Sequence, residues 1–137
     1  KGLFDKGIKF PVFAQLEIAE ALKEKYNINL SDNQIAKPGK EYLGTGEVIE
    51  QWINGGMGDY NSLILVSHPN HSFRCKKIIE KEYNKRNKPV EILVADTSLV
   101  QFDKNSIQPW TRSLKDWVSY EVSNRFSNRY RGLIDNS

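Results

Sequence analysis

SLILVSHPNHSFRCKKIIEK, residues 62–81, reads as a strand, a tight loop and a helix in immediate succession. Between Ser62 and Ser67 the run is continuously apolar and does not alternate, the pattern expected of a strand buried on both faces of a parallel sheet. Pro69 and Asn70 break it. From His71 to Asn87 the apolar positions Phe73, Ile78, Ile79 and Tyr83 follow a helical pattern. His68 and His71 therefore fall at the carboxyl end of the strand, with Arg74 in the first helical turn. In open α/β sheets that edge is where ligands bind.

Downstream, VEILVAD (90–96) is a second buried-strand candidate. A loop leads from it into a final helix from about Pro109 to Leu133. The stripe of that helix is Trp110, Leu114, Trp117, Val118, Val122, Phe126, Tyr130 and Leu133. Upstream, Val12, Leu16, Ala19, Leu22 and Tyr26 share one helical face, predicting a helix over 11–27 with Pro11 in its first turn and Asn27 at its end. A short extended piece is expected near Gln34–Ala36. A second helix starts at Thr45, whose hydroxyl can accept an orphan N–H, and Gly55-Gly56 stops it. Helices alternating with strands imply crossover connections and a parallel sheet covered on both faces, an α/β fold in one domain over 1–137. Two clear strands and one weak one fall short of the roughly five or six of open doubly wound sheets. Either KGLFDKGIKF supplies an irregular strand or a first βαβ portion is missing, and the second reading is favoured.

Composition narrows the classes. Of 137 residues 39% are hydrophobic and 27% charged, enough apolar material for one modest core. Lys plus Arg is 20 against 17 Asp plus Glu, and a charge of +3 does not argue for nucleic acid. Seven basic residues between Arg74 and Lys88 read as the solvated face of an amphipathic helix. The single Cys75 excludes an internal disulfide and reads as a small core residue. Two histidines three apart fall short of the usual three or four metal ligands, so no metal is expected. No apolar run approaches the roughly 18–20 residues of a membrane span, and no signal peptide opens the sequence, which reads as soluble. There is no G-x-S-x-G elbow and no Ser–His–Asp order, so no reaction is assigned.

Two junctions carry candidate chemistry. At the first, helix-start N–H groups favour an anion, Arg74 can grip carboxylate or phosphate, and His71 can hydrogen-bond or pass a proton. Alternatively, His71 only caps the helix and Arg74 pairs with a nearby carboxylate. At the second, GTGEV (44–48), Thr45 offers a hydroxyl and Glu47 an acceptor. The alternative there is a helix cap followed by an acid that suits the dipole. The aromatics of the last helix sit at packing spacing.

The segment LILVSHPNHSFRCKKI resembles the signature of the ElyC/SanA/YdcF-like family (DUF218), in which His-x-x-Arg-Ala opens a helix after a strand. His71, Ser72, Phe73 and Arg74 match that spacing, with Cys75 at the alanine position. Thr45, Gly46 and Glu47 resemble the family's Thr-x-Glu-Asn helix start, with Val48 where asparagine is usual. Glu17 is a loose counterpart of an upstream glutamate, and Glu121 with Tyr130-Arg131-Gly132-Leu133 is similar to the family's last helix. The resemblance covers about Gln15 to Ile134, the C-terminal portion of the family fold. It implies a Rossmann-like three-layer sandwich truncated at its N-terminus, with Thr45, Glu47, Ser67, His71 and Arg74 around a small anionic or nucleotide-like ligand. S-adenosylmethionine is one such ligand, and a role in envelope polysaccharide metabolism is another implication. The rival expectation is a non-catalytic accessory subunit that keeps the fold, its sheet completed by a protein partner.

Overall fold

Parallel pairing, the arrangement that the strand–helix alternation predicts, organises both sheets of the computed structural model, which describes residues 11–39, 43–106 and 108–126. Strand β1 (Ala14–Gln15) leads into helix α1 (Leu16–Tyr26) and pairs in parallel with β2 (Ile35–Ala36). Helix α2 (Thr45–Asn54) precedes β3 (Ser62–Leu65), α3 (Pro69–Asn84) and β4 (Glu91–Val94), and α4 (Leu114–Phe126) follows. Backbone bonds from Glu91 N–H to the Asn61 carbonyl and from Ala95 N–H to the Leu65 carbonyl run β3 and β4 in the same direction. The fold is therefore mixed α/β, with four helices and two small parallel sheets among the described residues. Among them no helix is long and apolar enough to cross a membrane.

Two compact units divide the chain. The first comprises the described residues up to Leu63 with Ile78–Ile92, and the second Ile64–Lys77 with those from Leu93 onward. In the first, Ala14, Ala19, Ala36, Leu43, Ile79 and Tyr83 are buried. Trp52 organises its aromatic part: the Phe13 ring meets it edge-on at 5.5 Å, and its indole N–H donates to the Tyr83 hydroxyl at 3.1 Å. The Gln51 side-chain amide accepts from Lys37 N–H and donates to the Lys37 carbonyl, both at 2.9 Å, tying α2 to the chain just past β2. Asn27 closes α1 in the left-handed conformation (φ 53°), as its position at the end of the helical pattern predicts.

Several expectations need correction. The first helix begins at Leu16 rather than Pro11, because Ala14 and Gln15 pair with β2 instead. Small side chains at Ala14 and Ala36 allow that pairing to be buried, and the Gln34 side chain donates to the Val12 carbonyl at 3.1 Å. The expected extended piece near Gln34–Ala36 is β2. Strands β3 and β4 are not buried on both faces: Ile64, Leu93 and Val94 are exposed, as is Val66 just past β3. Phe73 is 75% exposed despite its place in the helical pattern.

The final helix is broken. A 3-10 turn at Pro109–Thr111 precedes α4, and Arg112 and Ser113 separate them. The Ser113 hydroxyl accepts from Asp116 N–H at 3.1 Å and donates to the Asp116 carboxylate at 2.6 Å, a Ser-x-x-Asp start signal. Of the expected stripe, Trp117 is buried, Trp110 is half-buried, and Leu114, Val118 and Val122 are exposed. Tyr130 and Leu133 lie outside the described residues.

Burial makes a testable contrast on one helix. Ile79→Ala, at a side chain 2% exposed, is expected to cost about 2–5 kcal/mol of stability. Phe73→Ala is expected to stay within about 0.5 kcal/mol. Urea midpoints of the two variants check it.

Candidate functional site

Ser67 and His68 continue from β3 to the start of α3, and their groups are tied locally. The Ser67 and Ser72 hydroxyls share a hydrogen bond at 2.9 Å, and the Thr97 hydroxyl donates to the Ser67 carbonyl at 2.7 Å. That second bond joins the segment after β3 to the segment after β4. His68 is the residue before the helix: its carbonyl accepts from Ser72 N–H at 3.1 Å and His71 N–H at 2.8 Å. Its ring Nδ1 accepts from Asn70 N–H at 3.4 Å. Pro69, the first helical residue, has no N–H to offer. Much of the donor set expected at this helix start is thus already used, by His68 rather than by His71.

Trp117, near the start of α4, gathers the charged side of the junction. The His71 ring meets the indole edge-on at 5.2 Å, and the Arg74 guanidinium lies over the same indole at 5.7 Å and over Tyr120 at 6.0 Å. Trp110 stacks on Tyr120 at 4.9 Å, and His68 packs at 4.3 Å from Phe102. Arg74 Nη1 is 2.8 Å from Glu121 Oε1, with the two side chains 18% and 14% exposed. Spacing explains this convergence: Trp117, Tyr120 and Glu121 are three and four apart on α4, as His71 and Arg74 are three apart on α3.

Burial, with the Arg74 cation second and His68 third, lowers the His71 pKa to about 4, so the imidazole is neutral at physiological pH. Burial also lowers His68. A neutral imidazole can both donate and accept a hydrogen bond, and Arg74 supplies planar donors. Among the described residues no three His, Cys, Asp or Glu side chains group to hold a metal.

Of the sequence-predicted site residues, Ser67, His71 and Arg74 belong to the second unit and share this junction. Thr45 and Glu47 belong to the first. There Gly44 is the cap and Thr45 the first residue of α2, rather than Thr45 being the cap itself. The Glu47 carboxylate accepts from Gly44 N–H, the acid-at-helix-start alternative. Arg74 likewise has the carboxylate partner of its alternative reading, in Glu121. Sequence reasoning missed Trp117 as more than packing, and missed Thr97 and Phe102. The Ser113-x-x-Asp116 signal could have set the helical phase that brings Trp117 and Glu121 to one side.

Compared with known proteins, the chain matches no family model, no curated protein and no solved structure.

His71 makes stability depend on acid. Its folded pKa of about 4 lies below the unfolded value near 6.5, so the unfolded chain binds more protons between them. The stabilisation is complete above about pH 6.5 and is lost as pH falls towards about 4, on the order of 3 kcal/mol in full. A His71 ring-proton titration by NMR is expected to show a midpoint near 4. The stability difference between wild type and His71→Phe is expected to narrow across the same window.

Proposed function

We propose that this chain is a Rossmann-like domain of the SanA/YdcF type that binds a small anionic or nucleotide-like ligand. What carries the reading is that one indole, Trp117, borders both His71 and Arg74, so that imidazole and guanidinium lie side by side at the end of a strand. Ser67, with its hydroxyl linked to Ser72, lines the same turn. Neither side chain is sealed: Arg74 keeps 18% of its side chain exposed, and His71 is half-buried. Arg74 acts as the anion's donor and His71 as a hydrogen-bond partner. The β3–α3–β4 crossover, with its parallel strands, supports the three-layer assignment. The resemblance of His71-x-x-Arg74 and Thr45-x-Glu47 to the family signature supports the family assignment.

A thermal-shift screen against nucleotides and phosphosugars is expected to yield at least one stabilising ligand, with the shift lost in Arg74→Gln. A ligand whose shift survives that change while the variant remains folded would remove Arg74 from the site.

A second reading, an accessory subunit whose sheet is completed by another polypeptide, draws on the exposed Ile64, Val66, Leu93 and Val94 of β3 and β4 and their flanks, and on Leu114, Val118 and Val122 of α4. Parallel sheets occur almost only with both faces covered. Light scattering of the purified chain separates the readings. A monodisperse monomer supports the ligand-binding domain, whereas self-association relieved by a co-expressed partner supports the subunit.

A further inference from the structure

Hydrogen bonding along β3 is one-sided. The Leu65 carbonyl accepts from Ala95 N–H, and the Ser67 carbonyl accepts from the Thr97 hydroxyl, so alternate residues turn their backbone groups towards β4. Ile64 and Val66 lie between them and present N–H and C=O on the opposite edge. Among the described residues no strand but β4 pairs with β3. We propose that this edge docks a second copy of the chain: β3 pairs antiparallel with β3 of the other molecule across a twofold axis. The inference goes beyond the ligand reading and stands without a ligand.

Three observations select a second copy and select β3. A twofold axis sets a strand against itself, so the strand must tolerate its own side chains. From Ser62 to Ser67 there is no charge and no proline, and apolar residues meet apolar residues across the axis. The outer edge of β4 differs, because it ends on exposed Asp96, whose carboxylate accepts from Ser98 N–H at 3.0 Å. Pairing through β4 would crowd two such carboxylates onto one short ladder. The third observation is exposure. The Ala95–Leu65 bond sets Leu93 level with Ile64, so exposed Ile64, Val66 and Leu93 share one face. Antiparallel pairing about an axis normal to the sheet keeps that face on one side and lets Ile64 and Val66 of the two copies cover each other. Two strands become four, within the usual size of a sheet.

Sedimentation velocity over a concentration series is expected to show a monomer–dimer equilibrium. Val66→Lys alters a side chain 66% exposed and occurs twice in a twofold dimer, so it is expected to weaken association about tenfold or more. Leu99→Lys, on the turn after β4 and 94% exposed, and Val94→Lys, on the outer edge of β4, are expected to leave the dimer intact. In the wild type, amide exchange of Ile64 and Val66 is expected to slow as concentration rises, with no change at Val94. The inference is overturned by a wild type that stays monomeric throughout the series, or by one that forms open-ended assemblies. It is equally overturned if folded Val66→Lys dimerises like the wild type, or if Val94→Lys dissociates the dimer as well as Val66→Lys does. Should Val66→Lys fail to fold, the exchange measurement decides: unchanged rates at Ile64 and Val66, or equal slowing at Val94, overturn it.

Discussion

Trp117 lies against two side chains at once, an imidazole edge and a guanidinium face, and the geometry of the second unit's junction follows from that contact. A cation over an indole gains on the order of 0.5–2 kcal/mol, more as water is excluded. The Arg74–Glu121 pair adds little net stability, because desolvating two charges offsets most of their attraction. What the pair supplies is direction: with a carboxylate on one side and rings beside it, the guanidinium has few alternatives. The phase of α4 is the precondition, and Ser113 and Asp116 set it. One turn of capping chemistry thereby decides which residues of the last helix confront α3.

Legibility in the sequence followed the strength of local signals. The helix at 45–54 has a glycine before it and two after it, and its apolar spacing is unbroken, so its bounds can be read. The strand pieces at 62–65 and 91–94 are equally legible, since proline and charge bracket the apolar runs. But the helix between them starts at Pro69 rather than His71, because a proline suits a first helical position as well as a break, and Arg74 therefore lies past the first turn. The start of α1 was not. Val12 fits the helical period as well as Leu16 does, and only the distant pairing of Ala14–Gln15 with Ile35–Ala36 decides between helix and strand. Burial was harder still. A continuous apolar run has the same letters whether a second layer covers it or not, and Ile64, Val66 and Phe73 show how far pattern and exposure can diverge.

The candidate site was legible in part for a related reason. His71 and Arg74 are adjacent to a recognisable strand-to-helix turn, so their neighbourhood can be read locally. Glu121 and Trp117 are more than forty positions downstream, and nothing in their spacing alone reveals which helix they face. Glu47 was visible as an acid in a first turn, where capping and ligand chemistry need the same residue type. Its bond to Gly44 N–H accounts for it without a ligand.

The clasp between Gln51 and Lys37 carries one more implication. A primary amide presents the same donor and acceptor as a peptide group, and here it saturates both backbone groups of Lys37. A residue so occupied cannot template a visiting strand, the route by which open sheet margins seed unwanted aggregation. In the first unit, the prolongation of β2 is protected by a side chain imitating main chain.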